Sequence, residues 1–424
     1  MSPKIPSWRD SGEFKQILYI FPVSSSFQQD RSPVPFIEKF NKKGINIRIL
    51  AKIEKGRKNF AFLILTGGCE QEVINQLKNT EGTILLLCHR EDNSFPAGLE
   101  ILARIQQMNR RGKIILLNEK EEDFLELKNM IRIMKTEEEM KRVKIGLIGH
   151  PSHWLVAGTV KYEVVTACWG PKIIQISLAE LLDEIYKTTD SDSKKYAEEF
   201  IEKSSKSVEP HKDAILKSAG VYRGIRNIIE RYNLHALTLQ CFELIKELKT
   251  TGCFALSLLT DEGIISGCEG DIPSILTMFW MYCLTGELPF MANPQDIDIK
   301  ENTISLAHCT VPRKLLKSYT IRSHFESSLG VAIEGKMEKG EITLARIGGK
   351  DLRKLFVTGG KILKPEYFEH RCRTQIKVKL EHNVDYFLKN PLGNHHVLVR
   401  GHWASLLEEY VRYSGIVKGE KINE

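Results

Sequence analysis

Short apolar runs recur along the first third of the chain, and each has the length of a buried strand. They occupy residues 17–23, 45–49, 60–65, 83–88 and 114–117. After Pro96, the spacing of Ile101, Ile105 and Met108 predicts an amphipathic helix between the last two runs. Buried strands that alternate with helices are typical of a parallel sheet covered on both faces. We therefore predict an α/β domain over residues 1–140.

A second series of strand-like and helix-like segments follows residues 135–142, a charged stretch typical of a helix or a linker. Strands are predicted at 143–148 and 173–176, and Ser177 lies three residues before Glu180, the spacing of a capping box. The polar, lysine-rich residues 190–206 predict either an exposed helix or a mobile excursion. An amphipathic pattern from Ile215 to Ile229 predicts a longer helix. We predict a second α/β domain over residues 141–300.

From about Asn302 the apolar segments become shorter, and their residues often alternate with polar ones. Strands are predicted at residues 303–307, 331–334, 342–347, 356–358 and 375–380. Met337 to Gly340 has the composition of a hairpin turn. This pattern predicts a C-terminal domain, residues 301–424, built on an antiparallel sheet or barrel and closed by a helix at 404–413.

The composition is that of a globular protein, with 424 residues, 42% hydrophobic and 27% charged. No apolar run approaches the roughly 20 residues of a membrane helix, and the polar start, Met1 to Pro6, lacks the apolar core of a secretory signal. We expect a soluble, cytoplasmic protein that binds no membrane. The net charge of +7 comes from scattered basic residues, which argues against a nucleic-acid partner. Nine cysteines without a C-x-x-C pair argue against a disulfide framework or a zinc knuckle.

Familiar catalytic motifs are absent from the sequence. Gly146 to Gly149 follows a predicted strand but does not complete G-x-G-x-x-G, and neither Gly-Gly-Lys tripeptide, ending at Lys350 and Lys361, completes a phosphate-binding loop. There is no H-E-x-x-H and no G-x-S-x-G. Any activity must therefore depend on residues that the fold brings together from distant segments.

The first candidate is Glu269, between an apolar strand and a helix that Pro273 opens. Carboxyl ends of strands are where α/β folds bind ligands, and the nearby helix N-terminus favours an ionised carboxylate. A carboxylate at such a turn can also simply cap the helix. Asp271 is better placed for capping, which leaves Glu269 available for chemistry.

Two further segments carry polar residues at the ends of predicted strands, namely Asn293 and His308. A third contains the adjacent His395 and His396, which on a strand would point to opposite faces. A histidine at a strand end is more often structural than a ligand. Together, however, Glu269, His308 and His395 form a plausible open site for a divalent cation. Mixed oxygen and nitrogen ligands suit Mn²⁺, with Co²⁺ or Mg²⁺ as alternatives and zinc not excluded.

These segments resemble the L-fucose isomerase and L-arabinose isomerase superfamily. The similarity is clearest from Cys268-Glu-Gly-Asp271 through His308-Cys-Thr310 to Gly393-Asn-His-His396, over about the last 170 residues. Residues 147–155, L-I-G-H-P-S-H-W-L, are similar to the I-G-x-P-S-x-W-L turn of short members of the superfamily, and residues 93–100 are similar to an N-terminal loop and helix of those members.

The resemblance implies two N-terminal Rossmann-like parallel-sheet domains, a C-terminal domain with an antiparallel β-barrel, and trimers or hexamers. It also implies a Mn²⁺-dependent isomerisation of an aldose to a ketose through an enediol. By position, Glu269 would be a metal ligand and an acid/base carboxylate, while His308 and His395 would be ligand histidines. Asn293 stands where the superfamily has Asp or Glu. An asparagine can bind metal through its carbonyl oxygen, but it cannot exchange a proton near neutral pH.

Three functions remain open at this point. The leading prediction is a metal-dependent isomerase acting on a sugar or a sugar derivative, with Glu269 and the Asn293 position in the catalytic and metal-binding sites. The alternatives are an epimerase or lyase that uses the same enediolate chemistry, and a catalytically silent sugar-binding protein. If Asn293 is misaligned, Asp296 or Asp298 would supply the second carboxylate. Candidates for substrate binding are Trp154, Arg373 and His396, although such residues often only pack.

Overall fold

The structure, a computed structural model, describes residues 16–118 and 120–415. It has the predicted fold class, with two parallel sheets followed by a closed antiparallel barrel. Within the described residues, no helix combines the length and the apolar composition needed to cross a bilayer. The polar start, Met1 to Pro6, lies outside these residues, as does the end of the chain after residue 415.

The first sheet has five parallel strands in the order β2-β1-β3-β4-β5. Its central strands are buried along their whole length, because helices cover both faces. All five strands overlap the apolar runs that predict them. The elements are β1 Gln16–Val23, α1 Val34–Lys42, β2 Ile45–Ile49, β3 Phe60–Ile64, α2 Glu70–Leu77, β4 Ile84–Cys88, α3 Ser94–Gln107 and β5 Gly112–Leu116.

A long helix, α4 (Glu121–Met140), leads into a second parallel sheet of order β10-β9-β6-β7. Ser177 accepts a hydrogen bond from the backbone N–H of Glu180, as the spacing predicts. The polar, lysine-rich segment that begins at residue 190 forms a helix, α7, which is one of its two predicted structures. The elements are β6 Lys144–Ile148, α5 Tyr162–Trp169, β7 Lys172–Ile176, α6 Leu178–Tyr186, α7 Asp190–Glu202, α8 Lys212–Tyr232, β9 Ala236–Leu239, α9 Cys241–Leu248, α10 Cys253–Asp261, β10 Ile265–Cys268 and α11 Ile272–Thr285.

The C-terminal region contains a closed barrel of six antiparallel strands in the order β11-β12-β17-β16-β15-β18. Its first strand begins before the expected boundary at residue 301, and the ranges of the three domains stay predictions. A helix, α13, follows the last strand as predicted. The elements are β11 Phe290–Asp298, β12 Thr303–His308, β15 Gly340–Gly348, β16 Lys354–Glu366, β17 Thr374–Leu380, α12 Tyr386–Lys389, β18 His396–Arg400 and α13 Ala404–Ser414.

A small third sheet, of order β14-β13-β8, corrects one prediction. It consists of β8 Lys206–Ser207, β13 Leu316–Arg322 and β14 Ala332–Met337. The hairpin predicted at Met337 to Gly340 is wrong, because β14 pairs with β13 and not with the strand that follows the turn. Both edges of β15 are already occupied, by β16 and β18, so no edge is left for β14.

Candidate functional site

The three candidate ligands from separate segments come together at the wall of one cavity, which Glu269 and His308 line. Glu269 follows β10 at the carboxyl edge of the second sheet, His308 ends β12, and His395 directly precedes β18. Each offers one ligand atom, these atoms lie within 4.8 Å of one another, and all three residues are buried. The cavity has a volume of about 520 Å³. This buried group of one carboxylate and two imidazoles could hold a metal ion.

Glu269 occupies a strained turn, with a backbone φ of 62° in the left-handed region. Such a conformation costs a non-glycine residue roughly 1–3 kcal/mol and persists only where the surroundings enforce it. Here the Glu269 carbonyl accepts a hydrogen bond from the backbone N–H of Ser152. Gly270 also has a positive φ, and a Cβ there would lie 2.6 Å from the carbonyl oxygen of His150. The turn is therefore pressed against the loop at residues 150–152.

The Glu269 carboxylate is oriented by Trp154. The Trp154 indole N–H donates a hydrogen bond of 2.6 Å to Oε2 of Glu269, and Trp154 also lines the cavity. The other oxygen, Oε1, lies 3.7 Å from Nε2 of His395. The helix cap belongs to Asp271, whose Oδ1 accepts the Ser274 backbone N–H at 2.9 Å, as predicted.

His395 is held by a buried carboxylate. Its Nδ1 lies 2.9 Å from Oδ2 of Asp271, which also pairs with the Arg346 guanidinium at 3.1 Å. Burial opposes ionisation of Asp271, but Arg346 and His395 together hold the pKa of this carboxyl well below its usual range. The ionised carboxylate fixes the tautomer with Nδ1–H as donor, so the lone pair of Nε2 is left for another partner. Among the described residues, Nε2 makes no hydrogen bond although it is buried.

His308 contributes a neutral imidazole. Burial lowers the pKa of His308 to about 3, so the ring carries no charge near neutral pH. Its Nδ1 lies 2.9 Å from the Thr310 hydroxyl, and its ring lies 5.5 Å from that of His395, centroid to centroid. Neutral imidazole is the form that binds metal ions.

Asn293 lines the same cavity from β11, and its Oδ1 is buried without a hydrogen-bond partner among the described residues. The strand does not end there as predicted, but continues to Asp298 through an irregularity between Pro294 and Asp296. Neither Asp296 nor Asp298 is among the described residues that line the cavity. Asp296 is exposed, and Asp298 accepts the backbone N–H of Glu301.

Two candidates for substrate binding lie elsewhere. Arg373 is buried and donates from Nε to the Ser323 carbonyl at 2.9 Å. His396 points away from His395, as alternation along a strand predicts, and its Nε2 lies 3.1 Å from the Tyr386 hydroxyl. Neither is among the described residues that line the cavity, so their proposed contact with substrate stays a prediction.

Sequence reasoning missed several residues of the site. The role of Asp271 as the partner of His395 could have been suspected from its position two residues after Glu269, whereas Arg346 gives no local signal. It also missed most of the cavity wall, which comes from loops and helices. Those wall residues include Phe242, Ile245, Thr251, Gln295, His324, Phe325, Glu326, Asn394 and five cysteines, Cys241, Cys253, Cys268, Cys309 and Cys372.

Comparison with known proteins bears on the class of enzyme. No family model matches the chain. The chain is similar to sulfoquinovose isomerases. The protein of that name from Alkalicoccus urumqiensis is 27% identical over 231 residues, 52% of this chain and 51% of that protein. The one from Priestia aryabhattai is 24% identical over 271 residues, 62% of this chain and 59% of that protein. The one from Clostridium sp. (strain MSTE9) is 25% identical over 249 residues, 56% of this chain and 54% of that protein.

The chain thus spans little more than half the length of the curated relatives it matches. All three relatives are named as isomerases of a sugar. Their names support the class of enzyme that the sequence predicts, and they say nothing of the metal or of the residues at the site.

Proposed function

We propose that this protein is a metal-dependent aldose–ketose isomerase acting on a sugar or a sugar derivative. The observation that carries the proposal is the buried cluster of Glu269, His308 and His395 at the cavity wall, in which Nε2 of His395 has no hydrogen-bond partner among the residues that the structure describes. Burying a polar atom unpaired costs about 1–3 kcal/mol, and a ligand at that position would remove the cost. The similarity to sugar isomerases supports the same reading.

The donor atoms of the cluster fit a divalent cation. One carboxylate, two imidazoles and the unpaired amide oxygen of Asn293 form a mixed set that suits Mn²⁺, with Co²⁺ or Mg²⁺ as the alternatives to test. The Asp271–His395 hydrogen bond is the kind of outer contact that orients a metal-binding histidine. When bound, such an ion would hold two neighbouring sugar oxygens and polarise a carbonyl.

Glu269 is the residue that we assign to proton transfer. An aldose becomes a ketose when the proton on C2 is removed and a proton is delivered to C1, with an enediol between the two steps. A carboxylate held at the cavity wall can perform both transfers, and Trp154 fixes its rotation. Asn293 cannot be the second acid/base group. The proton that passes between the two sugar oxygens therefore needs another carrier, such as a water molecule.

The asparagine at position 293 favours one alternative. In this alternative the protein is an epimerase or lyase that uses the same site for other enediolate chemistry. A silent sugar-binding protein is the third candidate. Sulfoquinovose, named in the relatives, is the first substrate to test, followed by neutral aldoses and ketoses and their acidic derivatives.

We also propose a soluble, cytoplasmic homo-oligomer, a trimer or hexamer, that binds neither nucleic acid nor membrane. In the superfamily it resembles, a neighbouring subunit closes the active site. The exposure of Trp154 (41%) and Val156 (86%) beside the cavity is consistent with such a contact. Sedimentation at micromolar concentration tests it, and a monomer would count against a shared site.

The proposed activity is tested by incubating the Mn²⁺-loaded protein with sulfoquinovose and with a panel of sugars in deuterated water. Net isomerisation with deuterium incorporated at C1 of the ketose supports the proposal. Exchange at C2 without a ketose indicates an epimerase. Binding of a sugar without exchange or turnover would leave the silent binding protein as the function.

A further inference from the structure

Two cysteines lie in contact at the edge of the cavity, next to Glu269. Cys241 is the first residue of α9 and Cys268 is the last residue of β10, and both line the cavity. Their Sγ atoms are 2.8 Å apart, well inside the usual separation of non-bonded sulfurs, and both are free thiols. Cys241 follows β9 and Cys268 ends β10, and these two strands are paired neighbours in the second sheet, which places both residues at the same sheet edge.

This contact is a property of the fold. Leu239, the last residue of β9, is the register partner of Cys268, and Cys241 follows two residues later at the start of its helix. The side chains are 6% and 4% exposed, and this exposure faces a cavity that small molecules can enter. A disulfide needs its sulfurs about 2.05 Å apart, so closing the bond requires a movement of less than an ångström.

We propose that Cys241 and Cys268 form a reversible disulfide when a peroxide enters the cavity, and that this bond weakens the candidate metal site. The contact with Cys241 and burial hold the pKa of the Cys268 thiol well above its usual range, so Cys241 is the attacking residue. The Cys241 thiolate attacks a peroxide oxygen, the O–O bond breaks, and a sulfenic acid forms while hydroxide leaves. The second sulfur then attacks the sulfenic sulfur, the S–S bond forms, and water leaves. Two thiols and one hydrogen peroxide give one disulfide and two waters, with two electrons passing from sulfur to oxygen.

The bond would act on Glu269 through the backbone. Cys268 directly precedes Glu269, whose left-handed conformation leaves little freedom for adjustment. The turn is also held by the Ser152 N–H and packed against the His150 carbonyl. Metal–ligand distances are expected within about 0.2 Å of their usual values, a range smaller than the shift that the sulfurs must make. The effect on the site depends on the proposed metal-binding function, whereas formation of the disulfide does not.

The remaining cavity cysteines form a second group. Cys253, Cys309 and Cys372 pack around one another, and Cys309 accepts the backbone N–H of Arg373 at 3.4 Å. Of the three, Cys309 is also next to a candidate ligand, because it directly follows His308. Oxidation within this group instead of at Cys241 and Cys268 is therefore the competing outcome that peptide mapping must separate.

The experiment treats the whole protein with hydrogen peroxide, traps free thiols, and maps linked peptides by mass spectrometry. Mn²⁺ affinity is measured by calorimetry before oxidation, after it, and after reduction with a thiol. We expect a peptide linking Cys241 to Cys268 and a Mn²⁺ affinity lowered about tenfold, the scale seen when a group that orients a ligand is perturbed. Both changes should reverse on reduction.

Matched variants separate the pair from the other thiols. Cys241→Ser and Cys268→Ser should each make the Mn²⁺ affinity resistant to peroxide, judged against the same variant untreated. Cys168→Ser, on α5 and half-buried, should remain as sensitive as the unsubstituted protein.

Absence of the Cys241–Cys268 peptide, or links confined to the second group, would overturn the proposal. A mapped disulfide with unchanged Mn²⁺ affinity would overturn its action on Glu269. If the reduced protein bound no Mn²⁺, the proposed function would fail. The peptide map of the unsubstituted protein would still show whether Cys241 and Cys268 form a disulfide.

Discussion

His395 and His396 are adjacent in sequence but have different surroundings. His395 lies beside Glu269 and His308, two residues of the cavity wall, whereas His396 lies among aromatic side chains of the interior. His396 is surrounded by Phe356, Tyr386 and Phe387, its Nε2 lies 3.1 Å from the Tyr386 hydroxyl, and its Nδ1 lies 3.1 Å from the Asn394 carbonyl. His395 has a partner only at Nδ1, and its Nε2 is buried and unpaired among the described residues. Both rings are fully buried, so burial alone does not distinguish them.

The same contrast separates two carboxylates on one turn. Asp271 is satisfied by Arg346, by His395 and by the helix cap, which explains why its pKa stays low despite complete burial. Glu269 lies two residues earlier. Its Oε2 accepts a hydrogen bond from Trp154, and its Oε1 lies 3.7 Å from Nε2 of His395. In both pairs the residue with fewer hydrogen-bond partners belongs to the candidate metal cluster. Because the two members of each pair carry the same functional group, their hydrogen-bond partners distinguish the candidate ligand from the structural residue.

The largest expected effect comes from Glu269→Gln, which tests the assignment of this carboxylate. Glutamine keeps the shape and an oxygen but removes the charge and the exchangeable proton site. Turnover should fall by about 10² or more with the fold intact. Glu326→Gln removes a charge from the same cavity wall without touching the cluster, and its loss should be much smaller. Equal losses in steady-state kinetics would show that general cavity charge, and not Glu269, determines the rate.

The two histidines give the next largest effect, measured as stabilisation by metal. Binding of Mn²⁺ to the native state at a hundredfold excess over Kd adds about 2.7 kcal/mol to the free energy of unfolding. His395→Ala should abolish this gain. His396→Ala should retain it even though it destabilises the apo-protein, because its ring only packs and bonds to Tyr386.

His402→Ala is the exposed control for this pair, since His402 is half-exposed beside Glu381. The stabilisation is measured by thermal denaturation. Each variant with Mn²⁺ is compared with the same variant in EDTA, so that any loss of packing stability cancels. If the stabilisation by Mn²⁺ persisted in His395→Ala and disappeared in His396→Ala, the roles assigned to the two histidines would be wrong.

The first sheet and the barrel differ in how well the sequence predicts them. All five strands of the first sheet follow from continuous apolar runs such as residues 60–65 and 83–88, because a strand buried on both faces has to be apolar throughout. The closed barrel is less apparent from the sequence. Its pairing depends on which edges are free, and this is why the turn at Met337 to Gly340 misled the prediction of a hairpin.

At the site, sequence reasoning found the residues that end strands but not those that orient them. The sequence could indicate Glu269, His308 and His395 as candidates, because each lies at or beside the end of a strand. Arg346 lies within β15 and reaches Asp271 across 75 residues of sequence, and no local pattern encodes that contact. For Arg373 and His396 contact with a substrate stays a prediction; Arg373 donates from Nε to the Ser323 carbonyl, and Nε2 of His396 lies beside the Tyr386 hydroxyl.

Asn293→Asp sharpens the comparison by adding a charge where an unpaired oxygen faces the cavity. A carboxylate beside a dication should tighten Mn²⁺ binding by about tenfold, which corresponds to 1.4 kcal/mol. If the reaction is the isomerisation of the superfamily, the added acid/base group should raise kcat. If the site serves another enediolate reaction, the same change should slow it. Calorimetry with unchanged Mn²⁺ affinity, together with an unchanged rate, would remove Asn293 from the cluster.

The smallest effect is expected from Trp154→Phe, which separates two roles for this side chain. Phenylalanine keeps an aromatic ring against Phe242 and His153 but removes the N–H that binds Glu269. If Trp154 acts through Glu269, loss of one hydrogen bond of about 1 kcal/mol net should lower kcat about fivefold, with KM unchanged. If it binds the sugar as a wall residue through its ring, Trp154→Phe should leave kcat nearly intact, and only Trp154→Ala should raise KM. Steady-state kinetics of the two variants on one substrate distinguish these cases, because the hydrogen bond is lost in both variants while the aromatic surface is lost only in the second.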